Sequence, residues 1–402
     1  MGFRITTNMM MNTYRYNLQN STKRLSDARD TVLTRRSFTS YADDPAAATQ
    51  SFRLRRSYLQ TTSYLENTKD VYSKFNTAWH NLDGVINELC EPAKQASIRG
   101  VTGSAGESRR ALAIDLRETA QSVVQAMNQK LGDRFIFSGN DGLNAPFSWS
   151  DDGKTLYYRG VNVNAGSVKR PELEDGETPP DWGDPDEFGR PENMPDSSLD
   201  PEEQAWIDYY NDQADLKKLQ AMAGEEMYID LGMGAAESSP NSPIKGTYFN
   251  SALCGVDFLG YGVDEDGDPL NLALIMRELA DVFDTWDEDT QGYNPELAKD
   301  TAAGLSGKQL EEKAFRLLDK LKAAQEHTTE RWVNLDANSD YLQSNQTLLE
   351  TQQVDLNIRI LEIEKVDMAE AITSFSWEQY CYNAALKIGN QLLSQTLIDY
   401  MS

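Results

Sequence analysis

Both ends of this chain carry apolar residues spaced for a coiled coil, and no other feature limits the fold as much. From Met11 the positions Tyr14, Leu18, Ser21, Leu25, Ala28 and Val32 alternate steps of three and four, the rhythm that keeps one face of a helix against a neighbouring helix. It returns from Leu54 through Tyr58, Thr61, Leu65, Thr68, Tyr72, Phe75, Trp79, Leu82 and Ile86 to Leu89. Near the other end Leu342, Leu349, Leu356 and Ile363 recur every seven residues, and Ile372, Phe375, Tyr382, Leu386, Leu393, Leu397 and Tyr400 carry the stripe onward. Asn345 and Gln352 fall at core-facing slots, where a polar side chain weakens packing but fixes register. Stripes at both extremities, with other sequence between them, cannot all be buried in one compact monomer. They call for each other and for partners.

Punctuation divides the stripes. In YADDPAAA, Asp44 precedes Pro45 at the first position of a helix, where an aspartate oxygen caps exposed N–H groups and proline's missing N–H costs nothing. Ala46, Ala47 and Ala48 offer an aspartate pair no polar partner for catalysis, so Asp44 and Pro45 are read as a helix cap. Pro92 is expected to end the second helical run. A third run through Leu112, Leu116, Val123 and Met127 is expected to stop at Gly132 as a C-terminal cap. The stretch FSWSDDGKTLYYRGV alternates around Asp152-Gly153, a hairpin signal. Residues 171–203 hold prolines at 171, 179, 180, 185, 191, 195 and 201 and read as an acidic loop that need not be ordered. A helix is expected from Asp268 as cap, with Pro269 inside, through Leu272, Ile275, Leu279 and Phe283.

These readings give an α+β fold: an elongated antiparallel helical coiled-coil stem, formed by the N- and C-terminal segments, with an inserted mixed, largely β variable domain. The expected divisions are an N-terminal helical segment 1–44, a helical stem 45–145, an inserted domain 146–300, a stem return 301–365, and a C-terminal helix 366–402.

The formal charge of -26 is concentrated. Residues 171–300 hold 33 Asp or Glu against 6 Lys or Arg, while residues 1–60 carry ten basic and four acidic side chains. So acidic a middle repels nucleic acid and anionic lipid, and neither is expected as a partner. No apolar run reaches the roughly 18–20 residues of a membrane span, and the first residues lack the apolar core of a secretory signal. No catalytic, cofactor-binding or metal residues are assigned, and no cofactor is expected. His80 and His327 are the only histidines, and no zinc helix, zinc knuckle or phosphate loop occurs. DEDGDPLN invites a calcium reading, yet an EF-hand would need glycine at Pro269 and glutamate at Ile275; a solvated turn that caps a helix is preferred. Cys90, Cys254 and Cys381 imply no disulfide framework and read as small packed hydrophobes.

Four stretches, RITTNMMMNTYRYNLQNSTKRLSDARD, YADDPAAATQSFRLR, GDRFIFSGNDGLNAPFSW and VDMAEAITSFSWEQYCYNAALKIGNQLLSQTLIDYM, together resemble the flagellin superfamily. Within it, RFIFSG followed by Pro146-Phe147, and the ending LLSQTLIDYM, are similar to the hook–filament junction branch; filament flagellins usually show an FNG type of sequence after the third helix. The three cysteines depart from the pattern. The resemblance implies an extracellular structural protein and not an enzyme. It implies export through the flagellar type III apparatus and assembly as a ring of copies at the hook–filament junction, between the other hook-associated junction protein and flagellin. An export chaperone would hold the C-terminal region. It also makes Met11, Tyr14, Leu18, Leu25 and Val32 an N-terminal assembly seam, and Ile372, Phe375, Tyr382, Leu386, Leu393, Leu397 and Tyr400 a C-terminal one. The alternatives are flagellin itself, or a secreted protein with an enzymatic domain set in a flagellin-like stem.

Overall fold

The computed structural model describes residues 7–38, 40–102, 109–172, 179–198, 200–234, 236–239, 242–244, 246–298 and 302–401. The helices are α1 (Thr7–Thr34), α2 (Pro45–Asp83), α3 (Glu91–Thr102), α4 (Arg109–Met127), α5 (Pro201–Ala223), α6 (Gly255–Leu259), α7 (Leu272–Asp284), α8 (Gly307–Glu364) and α9 (Met368–Met401), with a π-helical turn over Gly84–Cys90. The fold is α+β. Its helices are long, and its strands form small antiparallel sheets of two or three strands among the described residues. The chain divides into two compact units, Met1–Leu65 with Thr347–Ser402, and Glu66–Gln346. No helix of the described residues is long and apolar enough to cross a membrane.

The second unit holds the main core. Leu116, Val123 and Met127 of α4 meet Leu279 and Phe283 of α7, all fully buried. Gly100 lets α3 approach α7 as well, because a Cβ there would stand 2.6 Å from the Phe283 ring. Pro92 does not end the helical path; it lies in the first turn of α3. Before it the Glu91 N–H bonds back to the Ile86 carbonyl, five residues earlier. Proline supplies no donor, and this wider π turn is the local geometry that absorbs the loss. In the same unit Trp332 of α8 stacks on Trp79 of α2 at 5.3 Å. Asn345 donates to Thr68 Oγ1 at 3.3 Å and to the Leu231 carbonyl at 3.2 Å, so α2 and α8 run antiparallel here. Asn345 is the register-fixing polar slot expected of it, whereas Gln352 faces solvent.

Three local expectations change. Gly132, at φ +61, turns the chain between strands Lys130–Leu131 and Arg134–Phe135, while α4 has already ended at Met127. The cap of α7 is Asn271, whose Oδ1 accepts from the Ala273 and Leu274 N–H groups at 3.1 and 3.3 Å. Asp268 is instead buried among cations from α8. Finally, the inserted segment is mixed, but helix outweighs strand in it. The hairpin around Asp152-Gly153 is present, with Trp149 opposite Leu156 and Gly153 at φ +67, yet α5, α6 and α7 bury most of the remaining apolar side chains.

The helix α5 had no counterpart among the elements expected from the sequence. Its start carries a recognisable signal, Asp200 accepting from the Glu202 N–H at 3.1 Å with Pro201 in the first position, and acidic side chains suit that end of the helix dipole. The dense prolines before it hid the onset. Nor is the described part of 171–203 merely solvated, since Pro191 and Met194 are buried and Trp182 meets the ring of Tyr210 at 6.1 Å.

Candidate assembly surface

In the first unit α1 and α9 pack along each other. Met11, Tyr14, Leu18, Leu25 and Val32 are all half-buried, as expected when one face of a helix meets a single neighbour. On α9 the covered positions include Ala371, Phe375, Glu378, Tyr382, Ala385 and Gly389 in steps of four and three, with Met368, Cys381 and Ala384 also half-buried. The expected C-terminal stripe therefore divides. Phe375 and Tyr382 face α1, while Ile372 and Leu386 point outward, 50% and 42% exposed; the side chains of Leu393, Leu397 and Tyr400 lie outside the described residues.

Small side chains decide which face of α9 is covered. A Cβ on Gly389 would overlap the Tyr14 ring and its hydroxyl oxygen, so glycine is what lets α1 approach. Glycine inside a helix costs about 1 kcal/mol relative to alanine, a hint in the sequence that something presses close there. Gly389→Val is expected to drive Tyr14 out of its place and destabilise the first unit by about 1–3 kcal/mol. Loss of helical ellipticity from that unit, at unchanged melting of the second, checks this.

What α9 leaves uncovered is aromatic. Trp377 and Tyr380 are 64% and 68% exposed and stack at 6.0 Å, and Ile388 is 54% exposed. A helix apolar on several faces belongs in an interior, and a single partner helix supplies only one wall of it.

A polar clasp closes the same unit. Helix α8 stops at Glu364, and α9 restarts under Asp367, whose carboxylate accepts from the Ala369 N–H at 2.8 Å. At the break the Ser37 N–H donates to the Glu364 carbonyl at 2.7 Å, and the Val366 N–H to that of Arg35 at 3.2 Å. The Glu364 carboxylate takes a fork from Arg55, Nε at 2.7 Å and Nη2 at 2.6 Å, and the hydroxyl of Ser51. Asp44 caps α2 nearby in sequence, Oδ1 accepting from Ala46 and Ala47 at 3.0 Å each, while Asp43 accepts from the Ser40 N–H at 2.8 Å. The two carboxylates of YADDPAAA thus hold turns together.

The Arg55 hydrogen bonds keep the Glu364 carboxyl below its usual range. A lowered folded-state pKa gives stability that is present above the unfolded value of about 4.3 and is lost as pH falls through the folded one. Glu364→Gln is expected to cost about 1–2 kcal/mol at neutral pH, less than a fully buried pair because Arg55 is half exposed. It should also flatten the acid limb of the first unit's unfolding profile, measured by circular dichroism.

In the second unit the RFIFSG stretch is a structural knot. The Phe137 carbonyl accepts from the Tyr158 hydroxyl at 2.9 Å and the Gly255 N–H at 2.8 Å. Gly139 sits at φ +65 with Glu225 Oε2 where a side chain would go. Glu225 in turn accepts from the Asn140 N–H at 2.8 Å and from Arg159 at 2.6 Å. Asn128 reads both backbone groups of Phe147, at 2.9 and 2.8 Å. These residues touch one another and present no reacting group.

The DEDGDPLN carboxylates converge, Asp264, Asp266 and Asp268 lying within metal-holding distance of one another. The space already contains a cation, because Lys320 Nζ sits against Asp264 and Asp268 and 3.4 Å from Asp266, with Arg316 beside Asp268. This is an internal ion cluster, more buried than a solvated turn. Cys90 and Cys254 are buried, and burial pushes both thiols up to about 12, which holds them as unreactive thiols.

Residues 5–142 match the model of the bacterial flagellin N-terminal helical region. No curated protein matches the chain. A structure described as a flagellar hook-associated protein of Vibrio parahaemolyticus is similar at 12% identity and a TM-score of 0.47, over 80% of this chain and 100% of that one. A second, Bacillus cereus FlgL, is similar at 14% identity and a TM-score of 0.38, over 77% of this chain and 99% of that one. Identities and TM-scores this low carry no argument, and the family-model match covers residues 5–142 alone.

Proposed function

We propose that the chain belongs to the flagellin superfamily, whose N-terminal helical region residues 5–142 match, and that it is the structural adaptor joining the hook side of a bacterial flagellum to its filament. It is a flagellar structural protein. In the finer reading, copies leave the cell through the flagellar export apparatus and assemble as a ring against a hook-associated junction protein on one side and flagellin on the other. An export chaperone covers the C-terminal helix until then. Residues 1–44 and 366–402 are the axial-core segments, 45–145 and 301–365 the stem, and 146–300 the outer domain.

One observation carries this reading. The terminal helix α9 is apolar beyond the face that α1 covers, with Trp377 and Tyr380 largely exposed, so its burial is completed by other molecules. Ordering each residue costs about 1–2 kcal/mol of backbone entropy, which packing among subunits offsets.

A strain lacking the protein is expected to bear hooks without filaments and to shed flagellin into the medium; filaments still attached to hooks would refute the adaptor role. The match over residues 5–142 is equally the mark of a filament subunit, which makes flagellin the second reading. Copy number separates them. About one turn of subunits at the end of each hook fits the adaptor, and labelling along the whole filament fits flagellin.

A further inference from the structure

Beside the Glu364 clasp, and wholly within the first unit, lies a groove of about 630 Å³ lined by Tyr58 and Leu59 of α2, Ile360 and Leu361 of α8, and the cations Arg35, Arg36, Arg55 and Lys365. Leu59 and Leu361 are 65% and 51% exposed, so its floor is open apolar surface. Glu364 is the one carboxylate in that wall, and Arg55 and Arg36 already engage it. Arg35 and Lys365 have no carboxylate partner among the described residues. They are brought together by the Val366 to Arg35 backbone bond and the Arg36–Lys365 bridge. The groove is thus built for an apolar strip that carries negative charge.

The same unit displays such a strip. Leu348, Asp355, Ile358 and Glu362 share one face of α8 and are all exposed. Neither Asp355 nor Glu362 forms an ion pair among the described residues; Arg359 stands at the edge of the face. At about 100° per residue the strip lies roughly 140° around the helix from the groove wall, so one copy cannot fill its own groove with it.

We propose that the groove receives the Leu348–Glu362 strip of α8 from a second copy of this chain, with Ile358 over Leu59 and Leu361 and a strip carboxylate between Arg35 and Lys365. Two different patches meeting on successive copies make a head-to-tail contact, the kind that repeats into a ring or a helix of subunits and does not stop at a pair. The inference rests on the self-assembly in the proposed function, and it names the lateral contact.

The test uses full-length variants in a strain lacking the protein, with attached filaments counted per cell. Arg35→Glu with Lys365→Glu reverses the groove, and Asp355→Lys with Glu362→Lys reverses the strip. Each pair alone is expected to lower attachment at least tenfold while the variant is still exported and melts normally. Co-expression of the two is expected to restore it, because reversed groove and reversed strip attract in alternating copies. A photo-crosslinker at Leu59 in isolated flagella is expected to capture residues 348–362 of a second copy, and this readout stands even where a charge variant fails to fold. Normal attachment with either reversed pair, no recovery on co-expression of exported variants, or capture of another segment would overturn the contact and leave the adaptor role intact. Filaments attached in the deletion strain would overturn the adaptor role itself.

Discussion

Asp268→Ala is expected to destabilise the second unit by about 3 kcal/mol, the low end of the range for breaking a buried ion pair by removing one partner. Asp268 is 2% exposed. Around it stand Arg316, Lys320 and, at 4.0 Å, Lys313, and Lys313 also serves Glu278 at 3.1 Å. With Asp268 gone, Arg316, Lys320 and Lys313 lose their most buried shared anion and are left to the more exposed Asp264 and Asp266 and to Glu278. Denaturant unfolding followed by tryptophan fluorescence measures the loss. Isosteric Asp268→Asn should cost nearly as much, because the charge and not the shape balances the cluster.

The same site fixes the sign of a pH effect. Burial alone would raise Asp268, but the hydrogen bonds from Arg316 and Lys320 and their charges outweigh it, and the net direction is down. Its stabilisation is therefore full above the unfolded value of about 3.9 and disappears as pH falls through the lowered folded value. Glu278 behaves oppositely. Burial raises its pKa in spite of Lys313, so what it contributes is present at low pH and is lost as pH rises through the raised value. Wild type should lose stability in acid more steeply than Asp268→Ala, and the two curves should converge near the bottom of the range.

The second large effect concerns function without stability. Trp377→Glu combined with Tyr380→Glu changes two exposed side chains on the outer face of α9, so the isolated chain should melt within about 0.5 kcal/mol of wild type. Attachment of filaments, in contrast, should be abolished, since two carboxylates would have to be buried unpaired in the assembled wall. A double variant that still anchors filaments would mean that this face is not an assembly surface.

How much of the molecule could be read in the sequence depended on whether a pattern had one solution. The stripe on α2 was legible because its three-four spacing runs unbroken over many turns, and Thr61, Leu65, Thr68 and Phe75 are all buried. The stripe on α9 was only half legible. With apolar residues on several faces, periodicity alone could not say which one meets α1, and the deciding residue was Gly389, which the apolar pattern skips. The helix cap at Asp44 is local chemistry and needed no tertiary knowledge. Glu364 and Asp268 lay beyond such reasoning, because their partners Arg55 and Arg316 sit 309 and 48 residues away. Proline misled twice, at Pro92, where a π turn carries the helix past it, and at Pro201, where it opens α5.

The central claim is that α1 and α9 owe much of their stability to neighbouring molecules. Amide hydrogen exchange, run on the dilute free chain and on isolated flagella, tests it most directly. Amides of α1 and α9 are expected to exchange far faster than those of α4 and α7 in the free chain and to become comparably protected in the flagellum. Full protection of α1 and α9 in the dilute chain, unchanged on assembly, would contradict the claim.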